Sequence, residues 1–232
     1  MAQQTNYDDF AQAYSDENES SLLNAYYERP AMLELAGDVS GRRILDIGCG
    51  SGPLAAALLE RGAQVEGFDS SVAMINLAQR RLGERVRLSV ARLGEVLPYA
   101  ANTFDDAVAS LVFHYLPAWN AALMEVHRVL KPGGRLMLSV NHPLLYPWNH
   151  PGKDYFKPTQ YTDEFTFNGQ RAELTYWHHP LHVMADAFLK AGFHIERIWE
   201  PPFSKDAPEE ILPENLRERD AFLSFLFFEL RT

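Results

Sequence analysis

A short β-prone run, Arg42-Arg43-Ile44-Leu45-Asp46-Ile47, ends in three glycines, Gly48, Gly50 and Gly52, with Pro53 directly behind them. Glycine at such a point lets the backbone turn sharply and come close to a ligand. Proline suits a first helical position, so residues 54–59 read as a helix, closed by Gly62. A strand, a glycine turn and a helix start in immediate succession present unpaired N–H groups to an anion. The rest of the chain has to be compatible with that unit.

It is. Residues 64–68 read as a second strand ending at Asp69. Ser70 or Ser71 can cap the next helix, whose apolar face carries Val72, Ile75, Leu77, Ala78 and Leu82. Residues 86–91 and 104–110 read as a third and a fourth strand, and 118–130 as a helix that stops at Lys131-Pro132-Gly133-Gly134. A fifth strand over 135–141, a helix over 180–191 ended by Gly192, and further strands over 193–199 and 221–230 complete the series. Strands alternating with helix-sized segments predict an α/β fold, a Rossmann-like doubly wound sheet with helices on both faces. Ligands on such sheets lie beyond the carboxyl ends of the strands.

The alternation breaks between 142 and 179. Residues 162–167 and 171–177 flank Asn168-Gly169, a dipeptide that favours a two-residue hairpin turn. This predicts an insertion after the fifth strand, rich in aromatics and histidines. Residues 1–40 read as a helical lid containing Tyr7, Phe10, Tyr14, Tyr26 and Tyr27, with Pro30 interrupting or restarting the helix. Residues 41–232 then form the main domain. The aromatics of lid and insertion either close over a ligand or form a satellite core of their own.

With 47% hydrophobic and 22% charged residues, the chain has enough apolar material for a sizeable core. Its 21 Lys and Arg against 31 Asp and Glu leave a formal charge of −10 and no basic cluster, which disfavours nucleic acid. One cysteine, Cys49, excludes an intramolecular disulfide and a multi-cysteine zinc site. A polar start and the lack of any membrane-length apolar run predict a cytoplasmic protein, monomeric or homodimeric, without a membrane partner. No histidine or acid pattern has metal-ligand spacing, so no catalytic metal is expected.

Three cofactor chemistries compete for the glycine turn. A phosphate-binding P-loop requires a Lys after the glycines, and none follows. A dinucleotide fingerprint would place Pro53 at its third glycine, where a side chain prevents close helix–strand packing. S-adenosylmethionine fits better. Its carboxylate suits the helix N-terminus, its ammonium an acid such as Asp46, and its two ribose hydroxyls a carboxylate at the end of the second strand, Asp69. The bland alternative is a glycine turn with an unrelated acid on each side.

The segments Ile44-Leu45-Asp46-Ile47-Gly48-Cys49-Gly50-Ser51-Gly52, Gly67-Phe68-Asp69-Ser70-Ser71, Leu97-Pro98-Tyr99 before Phe104-Asp105, and Glu125-Val126-His127-Arg128-Val129-Leu130-Lys131-Pro132-Gly133-Gly134 occur in that order. Together they resemble the class I S-adenosylmethionine-dependent methyltransferases, in particular the small-molecule branch that includes the ubiquinone and menaquinone biosynthesis enzymes. The likeness covers roughly residues 40 to 145. It implies a seven-stranded sheet with an antiparallel last strand, a place that residues 221–230 would fill. It also implies that Gly48, Cys49, Gly50 and Gly52 wrap the methionine moiety, that Asp69 holds the ribose, and that Ser70 and Met74 flank ribose and adenine. Related sequences often carry an Asp for the adenine amino group where this chain has Arg92. Arginine has no acceptor, so that contact moves to backbone around Leu93 or is replaced. Ser110, Leu111 and Tyr115, after the fourth strand, would face the sulfonium, and S-adenosylhomocysteine would be the product.

For the methyl acceptor, a small molecule attacked through O or N, the residues are less explicit. A hydroxyl nucleophile calls for a general base, whereas a neutral amine does not. His142, ending the fifth strand, and His114, ending the fourth, lead as bases, each with the alternative of a structural, hydrogen-bonded role. Tyr14, Tyr26, Tyr146, Trp148, Tyr176 and His179 are the expected pocket residues. Arg29, in Tyr26-Tyr27-Glu28-Arg29-Pro30, offers a fork donor for the cofactor carboxylate. Readings of other classes are a methyltransferase-like binding protein without catalysis and a nicotinamide-dependent oxidoreductase.

Overall fold

In the computed structural model, which describes residues 5–232, the glycine turn lies at the centre of a seven-stranded sheet. The strands are β1 (Arg43–Ile47), β2 (Gln64–Asp69), β3 (Arg87–Val90), β4 (Phe104–Ser110), β5 (Leu130–Asn141), β8 (His194–Trp199) and β9 (Phe225–Arg231), in the order β3-β2-β1-β4-β5-β9-β8. β1 to β5 pair in parallel, while β9 runs antiparallel to both neighbours. A separate antiparallel hairpin, β6 (Thr159–Phe167) and β7 (Gln170–His178), follows β5. Its turn is Asn168-Gly169, with φ of +45° and +82°, the two left-handed residues that a type I′ turn requires.

Alternation along the strands feeds two cores. Leu45, Ile47, Ala109 and Leu138 face α5 (Asn120–Val129) and α7 (Leu181–Lys190). Ile44, Val108, Met137 and Phe227 face the other side, packed on α2 (Arg29–Ala36), α3 (Pro53–Glu60) and α4 (Val72–Leu82). By the same period of two, Asp46 falls on the α2–α3 side. Met32 and Ala36 of α2 and the following Val39 are wholly buried. The second half of the expected 1–40 lid is therefore core, and only the chain before α2 lies across the sheet edge.

That earlier stretch, with α1 (Ala11–Asn18), is tied down by polar contacts to three parts of the body. Asp8 accepts from Ser71 Oγ and Ala73 N–H at the start of α4, Ser15 and Ser51 hydroxyls meet at 2.8 Å, and Thr175 N–H donates to Thr5 Oγ1. A third apolar cluster joins it to the hairpin, built on Phe10, Phe167, Leu174 and Tyr176 with Tyr7, Tyr14, Tyr115 and Tyr161 around it. The aromatics do form a satellite core.

One element differs from expectation. Lys131–Gly134 does not simply end a helix but belongs to β5, where Leu130 already pairs with Phe104 before the strand bulges and Arg135 takes up Asp106. A Cβ at Gly134 would stand 2.8 Å from Lys131 O, so the bulge closes only around glycine.

At the opposite, amino-terminal end of the sheet, Asp106 is completely buried between Arg42 and Arg135, accepting two hydrogen bonds from each. Burial alone would raise its carboxyl, but the two guanidinium groups outweigh burial and hold it low. Removing the acid strands two cations against the sheet. Asp106→Ala should therefore lower unfolding free energy by about 3 kcal/mol in a denaturant titration, and leave ligand affinity at the far edge unchanged.

Candidate functional site

β1 delivers Asp46 to the carboxyl edge of the sheet, and the chain then turns with Gly48, Gly50 and Gly52 at φ of +64°, +55° and +81°. Two of these glycines have a packing reason of their own. A Cβ at Gly48 would lie 2.5 Å from Val112 Cγ2, and one at Gly52 would lie 2.8 Å from Leu82 Cδ1. At Gly50 a Cβ would meet nothing within 4 Å, so this residue faces the open cradle. The Cys49 N–H donates to Phe68 O and ties the turn to β2, while burial pushes the Cys49 thiol up and keeps it neutral.

Three acids border the cradle. Asp69, at the end of β2, accepts from Gly50 N–H at 3.0 Å and Ser71 N–H at 2.9 Å, one on each oxygen. Each oxygen retains a lone pair for a ligand hydroxyl. Asp46 is 1% exposed and its Oδ2 has no hydrogen-bond partner among the described residues. Burial, and then the neighbouring Glu28 and Asp69, push its carboxyl up to about 8. Glu28 is 3% exposed and accepts from Ser139 Oγ at 2.6 Å; burial raises it too. Among the described residues none of the three is ion-paired to a Lys or Arg. Buried carboxyls without a counter-charge either hold a proton or await a cation. A cofactor with an ammonium, a sulfonium and a ribose diol matches this donor and acceptor set.

Other expected cofactor residues are distributed around this core. Ser70 is exposed and Met74 buried at the start of α4. Ser110 ends β4, and Leu111, at φ +54°, donates its N–H to Ser139 O and Oγ. Tyr115 joins the satellite core, its hydroxyl 2.5 Å from that of Tyr7. Arg29 donates to Asn18 O and Oδ1. Arg92 is exposed, its carbonyl accepting from Glu95 N–H, and Leu93 bridges Glu95.

Among the expected pocket residues, Tyr14 and Tyr176 meet in the aromatic cluster with Tyr7 and Tyr115. Tyr146 stacks on His178, its ring centre 4.7 Å away. Tyr26 is half-buried, whereas Trp148 is 77% exposed and does not join them. His179 donates from Nε2 to Leu116 O, leaving Nδ1 buried without a partner beside a cavity of about 270 Å³ that Trp119 and Met184 also line. His114 accepts Asn141 N–H at Nδ1, and burial lowers it to about 3, so it is neutral. His142 accepts Leu144 N–H at Nδ1 and directs Nε2 at Glu200, 3.0 Å away. The lone pairs of both expected bases are thus engaged.

Glu28 escaped the sequence reading, as did Ser139 and Asp8. A signal for Glu28 was present. It lies three, four and seven residues before Ala31, Met32 and Leu35, a charge on an otherwise apolar stripe.

A doubly wound sheet with one reversed strand and an acid-bordered glycine turn defines a nucleoside-cofactor protein of the α/β class. Residues 45–138 match the family model described as a methyltransferase domain. The demethylmenaquinone methyltransferase of Lactococcus lactis is 31% identical over 136 residues, 56% of this chain and 54% of that enzyme, so the chain spans about half the length of that relative. An S-adenosylmethionine-dependent methyltransferase from Mesorhizobium loti is 26% identical at a TM-score of 0.67, covering 88% of this chain and 96% of that one. The 1,6-didemethyltoxoflavin-N1-methyltransferase of Burkholderia thailandensis, solved with bound 1,6-didemethyltoxoflavin and S-adenosylhomocysteine, has the same fold at a TM-score of 0.60 and 23% identity, over 97% and 83% of the two chains. Residues 45–138 thus match a methyltransferase domain, and the chain is similar in sequence and fold to S-adenosylmethionine-dependent methyltransferases.

The Asp46 carboxyl titrates near pH 8 in the folded protein and about 3.9 when unfolded. A raised folded value means that its burial is harmless below the unfolded value and costs stability as pH rises toward 8. Asp46→Asn should stabilise the cofactor-free protein on the order of 2 kcal/mol at pH 8 and by nothing at pH 4, as read from urea unfolding at both pH values.

Proposed function

We propose that this protein moves the methyl group of S-adenosylmethionine to an O or N atom of a small-molecule acceptor held under the aromatic roof. The observation that carries the reading is the set of three acids around Gly50, Asp46 and Glu28 buried and Asp69 half-buried, with no Lys or Arg ion-paired to them among the described residues. In this assignment Asp69 holds the ribose diol, Asp46 the ammonium, and the glycine turn with the start of α3 the methionine carboxylate. When bound, the cofactor supplies an electrophilic methyl on a sulfonium.

The residues before α2 and the insertion at 142–179 supply the roof, and Tyr14, Tyr115 and Tyr176 its inner surface. Their phenols are held well above or above the ordinary range by burial, so they stay protonated and act as hydrogen-bond donors. An enclosure of this kind suits a compact, ring-bearing acceptor. Two of the three named relatives support that class: one is named for demethylmenaquinone, the other was solved with 1,6-didemethyltoxoflavin. The net charge of −10 argues against a nucleic-acid acceptor. His114 and His142 serve positioning in this scheme. His114 holds the end of β5 against the segment after β4, and His142 folds the turn into α6 (Leu145–Asn149). An acceptor that is a neutral amine or an already ionised oxygen needs no base.

A second reading, a cofactor-binding relative without transfer, is favoured by the engaged lone pairs of these histidines. Methyl transfer to any member of a metabolite panel removes it.

Isothermal titration should show S-adenosylmethionine and S-adenosylhomocysteine binding at micromolar concentration; no binding of either sinks the reading. Asp69→Ala should weaken both ligands by about 1.5–3 kcal/mol, the range for hydrogen bonds to a charged group.

A further inference from the structure

We propose that Glu28 is a second carboxylate for the cofactor's ammonium, shared with Asp46, and that this contact fastens the N-terminal segment over the site. The inference rests on the cofactor reading above and adds a residue and a closing step to it.

Glu28 is the last residue of a five-residue π-helical turn, Asn24–Glu28, that leads directly into α2. π turns are rare, and they are frequent at functional sites. The side chain crosses to the carboxyl end of β5, where it accepts from Ser139, 111 residues away in the chain. Ser139 stands in register with Ser110 of β4, and its hydroxyl oxygen also receives the N–H of the left-handed Leu111. β4 in turn pairs with β1, where Asp46 aligns with Val108, two residues short of Ser110. Glu28 and Asp46 thus reach the same stretch of sheet edge, one from the N-terminal segment and one from the core.

Neither acid has enough partners. A carboxylate offers about four lone-pair sites, and the serines occupy at most two of those on Glu28. Asp46 Oδ2 is buried and receives nothing from the described residues. The charged groups around the pair are Asp69, which repels, and Arg29, which donates to Asn18. An orphaned oxygen requires a hydrogen-bond donor as well as a positive charge. A sulfonium has no N–H to give, whereas an ammonium has three. Without that ammonium the two acids come together only by holding protons, which adds nothing to closure of the segment onto β1. With it between them they favour closure.

The test compares S-adenosylhomocysteine, which carries the ammonium, with 5′-methylthioadenosine, which keeps the nucleoside and thioether but lacks the amino-acid end. Titration calorimetry on Glu28→Gln should show S-adenosylhomocysteine weakened about 10- to 100-fold and 5′-methylthioadenosine within about twofold of the unsubstituted protein. Hydrogen exchange across residues 5–28 should slow on adding S-adenosylhomocysteine to the unsubstituted protein. It should not slow with 5′-methylthioadenosine, nor with either ligand in the variant. Retained 5′-methylthioadenosine binding shows that the variant is folded. If it is not, Glu28→Asp, which keeps the charge but withdraws it by one methylene, is expected to give the same ligand-selective loss. Unchanged S-adenosylhomocysteine affinity in Glu28→Gln, or a parallel loss of both ligands in Glu28→Asp as well, overturns the proposal. Failure of the unsubstituted protein to bind either ligand overturns the cofactor reading instead.

Discussion

A carboxyl group buried at the end of a central strand, on the same face as the fully buried Ile44, resists ionisation unless an opposite charge arrives. Asp46 is in that position, with one oxygen that no group among the described residues reaches. Its surroundings follow from this. The turn after it is stripped of side chains, the start of α3 lies directly above, and the two other acids sharpen the demand for a cation. An apolar residue there would make a more stable sheet and an inert one, so the site is maintained against the interests of the core around it.

The glycine turn shows how one motif can serve two purposes. Gly48 and Gly52 permit Val112 and Leu82 to pack against the turn, while Gly50 keeps open the space that Asp69 overlooks. Asp69 is itself part of this economy. Its hydrogen bonds from Gly50 N–H and Ser71 N–H hold the turn to the start of α4, so the residue that shapes the cradle also borders it.

The sheet and its carboxyl-end site were legible because periodicity and glycine placement are local signals. β1, β2, β4, the helix over residues 72–82 and the Asn168-Gly169 turn could all be read from neighbouring residues alone. The bulge in β5 could not, because it arises in the pairing with β4, a distant stretch of the chain. Nor could the fate of the histidines. His114 and His142 end strands at the edge where bases belong, and only the fold shows Asn141 and Leu144 amides occupying their lone pairs. Glu28 lay between, since its place on an apolar stripe was visible but its partner, Ser139, lies in a distant strand. The lid was over-read for a similar reason. Aromatic residues before position 40 look alike in sequence, yet Tyr27 enters the main core and Tyr7 and Tyr14 the satellite one.

The placement of β9 has a consequence for how such a chain reaches its native state. The strand that comes last in chain order fills an interior slot, between β5 and β8, and contributes Phe227 and Phe228 to the cores on opposite faces. While a ribosome is still delivering the preceding residues, β5 presents an open edge and both cores lack one wall. Non-local pairing of this kind is slow and leaves sticky intermediates exposed. Maturation of the cofactor cleft, which rests on β4 and β5, is thereby deferred until residues 225–231 have been made.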